Sequence, residues 1–230
     1  MTLHRLKAAI FDMDGLLVDT ERLWHQAEME ILGELGVQFD RDVTRSSKGM
    51  RVDEVVAMHH GDSPWPEPSL DVVVEQILQR VGDLAETVGN LLPGVLSTFE
   101  LLDEVGLPKV LASSTPYRLI ERILRHFDLT DRFETISSAQ DEPYGKPHPG
   151  VFLSAARSIA IAPTACMVFE DAPAGVLAAK AARMLCVAVP EPDERDHPMI
   201  RIADVVLPTL EEFSLEVLQQ LDGQLLSSRG

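Results

Sequence analysis

The sequence is short of several things, and each shortage excludes something. Only two of its 230 residues are cysteine, Cys166 and Cys186. So few cannot build a disulfide framework or a cysteine-rich metal module. Both lie in apolar runs, where small buried thiols in a reducing compartment are expected. Positive charge is scarce as well: 20 Lys and Arg stand against 37 Asp and Glu, a formal charge of −17. Nucleic acid and anionic membrane both need a positive surface, so neither is an expected partner. No apolar run reaches the ~20 residues of a membrane span, and no basic stretch leads into an apolar one near the N-terminus as in a secretory signal. The expectation is a cytoplasmic protein, by default a monomer, whose partner is a small molecule. Acidity has one further consequence. An anionic ligand meets net repulsion, so a phosphate site has to be made positive locally, by a metal, a lysine or backbone N–H groups.

What is present is a rhythm. Short apolar runs, KAAIF (Lys7 to Phe11), PKVLASS (Pro108 to Ser114), FETISS (Phe133 to Ser138), CMVFED (Cys166 to Asp171), LCVAVP (Leu185 to Pro190) and DVVL (Asp204 to Leu207), alternate with helical patterns. Strands apolar on both faces and interleaved with helices predict an α/β, Rossmann-like parallel sheet covered on both sides. The rhythm breaks once. Between residues 20 and 89 the patterns are helical: WHQAEMEILGELG with Gly36 as a stop, VDEVVAMHH, and LDVVVEQILQRVGDLAETV. The β-branched run Val72 to Val74 leaves a strand open there, but its flanks favour a helix. The division predicted is a core of residues 1–19 and 90–230 with a small all-helical insert, 20–89, after the first strand, and NLLPGV as the returning hinge.

In a parallel sheet, ligands bind beyond the carboxyl ends of the strands. The first strand delivers Asp12 and Asp14, the second Ser113, Ser114 and Thr115, and the fourth Glu170 and Asp171, while the loop after the third carries Lys146 in DEPYGKPHP. Residues i and i+2 of an extended chain point to one side, so Asp12 and Asp14 can address one reacting centre. Crowded carboxylates repel, which invites a cation, and oxygen ligands of this kind suit Mg²⁺. Ser113 can donate to a phosphoryl oxygen and Lys146 can add charge. Gly15 lets the backbone turn sharply and present N–H groups. Each residue alone has an ordinary structural role open to it, as cap, turn or surface; the whole set on one rim does not.

These residues carry a resemblance. DMDGLLVDTE is similar to the first motif of the haloacid dehalogenase superfamily, Asp-x-Asp; LASS to the second, YGKPHPGVF to the lysine motif, and VFEDAPAGVLAAKAARM to the acidic motif. All four occur in order, and the helical insert resembles the superfamily's C1 cap. WHQAEMEILGELGV, GMRVDEVV, LLPGV, DEPYGKPHP and AKAARM are further similar to the bacterial 2-deoxyglucose-6-phosphate (hexitol) phosphatases. The resemblance implies a phosphoaspartyl mechanism. Asp12 attacks phosphorus. Asp14 protonates the leaving oxygen and later activates water. Ser113 and Lys146 hold the phosphoryl group, assisted by backbone N–H groups near Met13, Asp14 and Ser114. Mg²⁺ is held by Asp12, the Asp14 carbonyl and Asp171, with Glu170 close by. Two departures stand out. A second acid often follows four residues after the acidic motif, where this chain has Gly175, and Ala172-Pro173 replaces a Ser-containing turn.

In the insert, Trp24, His25, Lys48 and Arg51 are candidates to face the substrate: Trp24 by stacking on a sugar face, Arg51 by binding a hydroxyl or a second anionic group. Ordinary packing for Trp24 and solvation for the cations are the alternatives. A sugar-phosphate mutase uses the same four motifs. Related mutases carry a His near the position of Trp24, tied to the second Asp; its absence favours hydrolysis, although His25 is one position away. An inactive binding module is the reading from another class, opposed by the intact Asp12, Asp14, Lys146 and Asp171.

Overall fold

The computed structural model describes residues 3, 5–38 and 48–227, with side chains described up to residue 224. Six parallel strands form the sheet: β1 (Ala8–Phe11), β2 (Lys109–Ser113), β3 (Thr135–Ser138), β4 (Cys166–Glu170), β5 (Leu185–Ala188) and β6 (Val205–Val206). Their spatial order is β3-β2-β1-β4-β5-β6, so β1 lies inside the sheet with β2 on one side and β4 on the other. The predicted architecture is the one that forms, and all six apolar runs supply strands.

Alternation within the strands explains why both faces are apolar. Ala9, Phe11, Leu111, Met167, Phe169 and Val187 enter one core, while Ala8, Ile10, Val110, Ala112, Cys166, Val168, Cys186 and Ala188 enter the other. Successive side chains of a strand point to opposite faces. The first core is closed by helices α4 (Val95–Glu104), α5 (Tyr117–His126) and α8 (Leu215–Ser227). The second is closed by α6 (Gly150–Ser158) and α7 (Pro173–Ala181). Both cysteines are buried free thiols in the second core. Burial pushes the Cys166 thiol up to about 12, so it behaves as an inert apolar side chain. Helix α8 had no counterpart among the expected elements.

Between β1 and β2 the described chain forms α1 (Glu21–Glu34), α2 (Val52–Asp62) and α3 (Leu70–Val88). The β-branched run Val72 to Val74 is helical, within α3, where Val73 is fully buried and Val72 is exposed. Tertiary packing of one face overrides a modest strand preference. Two stretches connect these helices to the sheet and pair with each other. Val18 bridges Leu91 in antiparallel fashion, the Asp19 N–H donates to Asn90 O at 2.9 Å, and the Leu92 N–H donates to Leu17 O at 2.9 Å. No described helix is long and apolar enough to cross a membrane.

Candidate active site

Strand register builds the site. Phe11 pairs with Phe169, and their rings stack at 4.4 Å. The residue after each, Asp12 and Glu170, therefore stands level with the other at the end of the sheet. Lys146 comes in from the loop after β3. Its Nζ donates to Asp12 Oδ1 at 2.7 Å and to Glu170 Oε1 at 2.5 Å, with all three side chains buried. Burial works against the lysine's charge, but Asp12 and Glu170 outweigh it and raise its pKa. The second Glu170 oxygen accepts the N–H groups of Asp171 and Ala172, each at 2.9 Å. Glu170 is thus satisfied on both oxygens.

Asp171 is not. Lys48 Nζ stands 2.8 Å from its Oδ2, while Oδ1 has no hydrogen-bond partner among the described residues. Burial pushes the Asp171 carboxyl up to about 7 against the pull of Lys48. Burial also raises the carboxyl pKa of Asp12, with Lys146 opposing. Asp12, Glu170 and Asp171 each offer an oxygen within 4.8 Å of the others. Three buried carboxylates face two ammonium groups, one of them shared with Glu194 at 2.9 Å. A buried polar atom without a partner is costly. Oxygen donors with uncompensated charge fit a hard divalent cation, and these residues could hold one.

Asp14 occupies a different setting. Its Oδ1 accepts from Thr20 Oγ1 at 2.7 Å and from the Trp24 indole N–H at 2.9 Å. Its Oδ2 accepts from Thr115 Oγ1 at 2.7 Å and from Ser113 Oγ at 3.3 Å. Ser113 in turn accepts the Thr115 N–H at 3.0 Å. The turn that aims both acids requires Gly15. Its φ is +69°, and an added Cβ would lie 2.3 Å from Asp171 Oδ2. Gly175 is equally constrained, since a Cβ there would lie 1.7 Å from Glu170 Oε1. A second acid at that position has no room, because Glu170 occupies the space to hold Lys146.

Asp12, Asp14, Ser113, Ser114, Asp171, Trp24, His25 and Lys48 all line one cavity of about 70 Å³ between the sheet edge and the helical insert. Of the insert residues expected to face the site, Arg51 alone is placed elsewhere. Lys48 is turned toward Asp171 and Glu194, with Glu191 at 3.7 Å, and so belongs to the acidic cluster. Arg51 does not line the cavity. It pairs with Asp53 and donates to the carbonyls of Glu142 at 2.9 Å and Ala139 at 3.3 Å. Ser114 Oγ donates to Gly49 O at 2.7 Å, across to the insert. Long cations follow the nearest unsatisfied oxygens, which a linear sequence does not display. Three further residues stand at the site: Thr20 and Glu21, which end the DMDGLLVDTE stretch, and Glu28, which lies beyond it. Their trace in the sequence is spacing, since Thr20, Trp24 and Glu28 recur every four residues and share one face of α1.

Comparison with known proteins agrees with this geometry. A family model described as haloacid dehalogenase-like hydrolase matches residues 6–183. Hexitol phosphatase B of Escherichia coli (strain K12) is 41% identical over 218 residues, covering 94% of this chain and 98% of that protein. Beta-phosphoglucomutase of Bacillus subtilis (strain 168) is 29% identical over 221 residues, covering 94% of this chain and 95% of that one. In fold, the chain is similar to the crystal structure of a β-phosphoglucomutase from Clostridium difficile, with a TM-score of 0.84 at 24% identity over 96% of this chain and 99% of that one. The matched span contains all the strand ends that converge on the cavity, and the chain belongs to the haloacid dehalogenase-like hydrolase family.

Proposed function

We propose that this protein is a Mg²⁺-dependent phosphatase of small sugar phosphates, hexose or hexitol phosphates such as 2-deoxyglucose 6-phosphate, acting through a phosphoaspartyl intermediate. One observation carries the reading. Two carboxylates one residue apart open on the same cavity in unlike settings, Asp12 against an ammonium group and Asp14 among hydroxyls and an indole. Unlike settings allow unlike roles.

Asp12 attacks phosphorus through a carboxylate oxygen, and the ester oxygen departs with a proton from Asp14. Water then attacks the acyl phosphate, Asp14 takes its proton, and inorganic phosphate leaves with Asp12 restored. The indole N–H of Trp24 donates only, so Oδ1 of Asp14 is fixed as an acceptor. Ser113 and Thr115 hydroxyls can rotate to donate or accept, so Oδ2 is the oxygen that exchanges the proton. Lys146 holds the nucleophile and faces the phosphoryl group, and Glu170 holds Lys146. The metal would be held by Asp12, Asp171 and the Asp14 carbonyl, with Glu170 adding charge. When bound it neutralises the phosphoryl oxygens. Ser114 and the backbone N–H groups near Met13 and Asp14 complete the anion site.

The insert, residues 20–89, is a lid. Ser114 to Gly49, Arg51 to Glu142, Glu54 to the Gly145 N–H at 3.0 Å and Lys48 to Asp171 latch it to the sheet edge. Small-molecule sites usually measure about 300–1,000 Å³, far more than this cavity, so substrate enters when the latches part. Closure then excludes water. Mutase chemistry is disfavoured because the ring tied to Asp14 is the Trp24 indole, which cannot accept a proton.

A panel of phosphate esters assayed with Mg²⁺ and with chelator tests this reading. Hexose and hexitol phosphates should be cleaved faster than nucleotides, chelator should remove turnover, and Mg²⁺ should restore it. Full turnover in chelator refutes the metal assignment. Trp24→Phe removes one donor from Asp14 and leaves Thr20 in place. Its kcat should fall about tenfold, the value of one hydrogen bond to a charged group, with KM changing less. Unchanged kcat refutes the positioning role of the indole.

A further inference from the structure

We propose that Glu28 is a specificity-determining residue whose carboxyl hydrogen-bonds hydroxyl groups of the leaving group, so that the site selects a polyhydroxylated alcohol. The inference rests on the phosphatase reading and extends it to the substrate's other end. Glu28 lies on α1 with 7% of its surface exposed, and it lines the cavity. No hydrogen bond or ion pair to it exists among the described residues. The other buried acids at the site have partners or a neighbouring cation: Asp12 has Lys146, Glu170 has Lys146 and two N–H groups, and Asp171 has Lys48. Among the described residues Glu28 has nothing of the kind, so their packing gains no return from burying it.

Its position says what it would bind. Trp24 touches Asp14, and Glu28 follows Trp24 by four residues on the same helix face. That places it about 6 Å farther along α1 from the reacting carboxylates. An ester oxygen beside Asp14 therefore directs the remainder of the substrate past Trp24 toward Glu28. The same cavity is lined by the apolar Met50, Val52 and Val55, with His25 as a further polar side chain of α1. A buried carboxyl in that lining is a polar group that would distinguish a hydroxylated chain from a hydrocarbon. Burial pushes the carboxyl up to about 7. Near neutrality it thus exists in both forms and can accept from one hydroxyl and donate to another.

The test compares wild type, Glu28→Gln and Glu28→Leu on two esters, a hexitol 6-phosphate and phenyl phosphate, which has no hydroxyl groups. The readout is the ratio of kcat/KM for hexitol phosphate to that for phenyl phosphate. It should fall about 10- to 100-fold in Glu28→Leu and by less in Glu28→Gln, which keeps an acceptor. Both variants should melt at a temperature no lower than wild type at pH 8, which separates lost recognition from lost folding. A ratio within about threefold of wild type in both variants overturns the assignment, as does an equal loss on both esters. Failure of the wild type to cleave either ester with Mg²⁺ present removes the phosphatase reading itself and this assignment with it. Cleavage of phenyl phosphate by wild type with an unaltered ratio in the variants removes only the role of Glu28.

Discussion

Asp12→Asn should lower kcat on any phosphate ester by about 10⁴-fold or more, the scale on which loss of a nucleophile acts, while the protein stays folded. The amide is isosteric with the carboxyl, and its oxygen can still accept from Lys146 Nζ, now 2.7 Å from Asp12 Oδ1. What it cannot do is supply an anionic oxygen to phosphorus. Stability should move little or upward. Burial raises the Asp12 carboxyl pKa despite Lys146, so the fold disfavours its charged form. The sign follows from linkage. A carboxyl with a raised folded pKa contributes fully to stability below its unfolded pKa, and that contribution is lost as pH rises through the folded value. A neutral amide loses nothing along that path, so any gain appears at pH 8 rather than at pH 4. The decisive measurements are single-turnover hydrolysis with labelled ester and urea unfolding at both pH values. A variant turning over within tenfold of wild type would remove the covalent route. Loss of turnover together with unfolding would show that Asp12 is a structural residue.

The carboxylates at the strand ends were legible because topology does the gathering. Once alternating apolar runs imply a parallel sheet, the residues after each run share one edge, and Asp12, Ser113, Glu170 and Asp171 need no further information to be placed together. The lysine required only that its loop follow a strand of the same sheet. What surrounds Asp14 was less legible. Thr20 and Trp24 reach it from α1, and Thr115 from the loop after β2. Their convergence depends on how the first helix of the insert leans over the sheet, which periodicity does not specify. The insert cations show the same gap. Lys48 and Arg51 are interchangeable as positive charges in a sequence, yet one is held within the acidic cluster and the other on loop carbonyls, according to which oxygens lacked donors. Gly175 reads as a missing acid in the motif. In the fold it is the clearance that lets Glu170 turn back onto Lys146.

That clearance points to Lys146 as the hinge between stability and chemistry. Lys146→Met leaves Asp12 and Glu170 buried at 4% and 0% exposure without the ammonium they share. Removing one partner from a buried charge arrangement typically costs about 3–5 kcal/mol. Protonation relieves that cost, so it should depend on pH. Lys146 is the largest influence that lowers the Asp12 pKa, and without it that pKa climbs further. In chelator, the deficit relative to wild type should therefore be small near pH 4–5, close to the unfolded carboxyl values, and reach its full size by pH 8. Adding Glu170→Gln removes one of the two stranded charges. The double variant should be more stable at pH 8 than Lys146→Met alone, a non-additivity of about 1–3 kcal/mol. Turnover should fall by several orders of magnitude in both variants, because the nucleophile loses its anchor and the phosphoryl group loses a cation. Urea melts of wild type, Lys146→Met, Glu170→Gln and the double variant at two pH values measure the coupling. Additive effects, or a deficit equal at both pH values, would mean that the lysine stabilises by packing its chain, with its ammonium 4.9 Å from the Phe152 ring, rather than by neutralising the two acids.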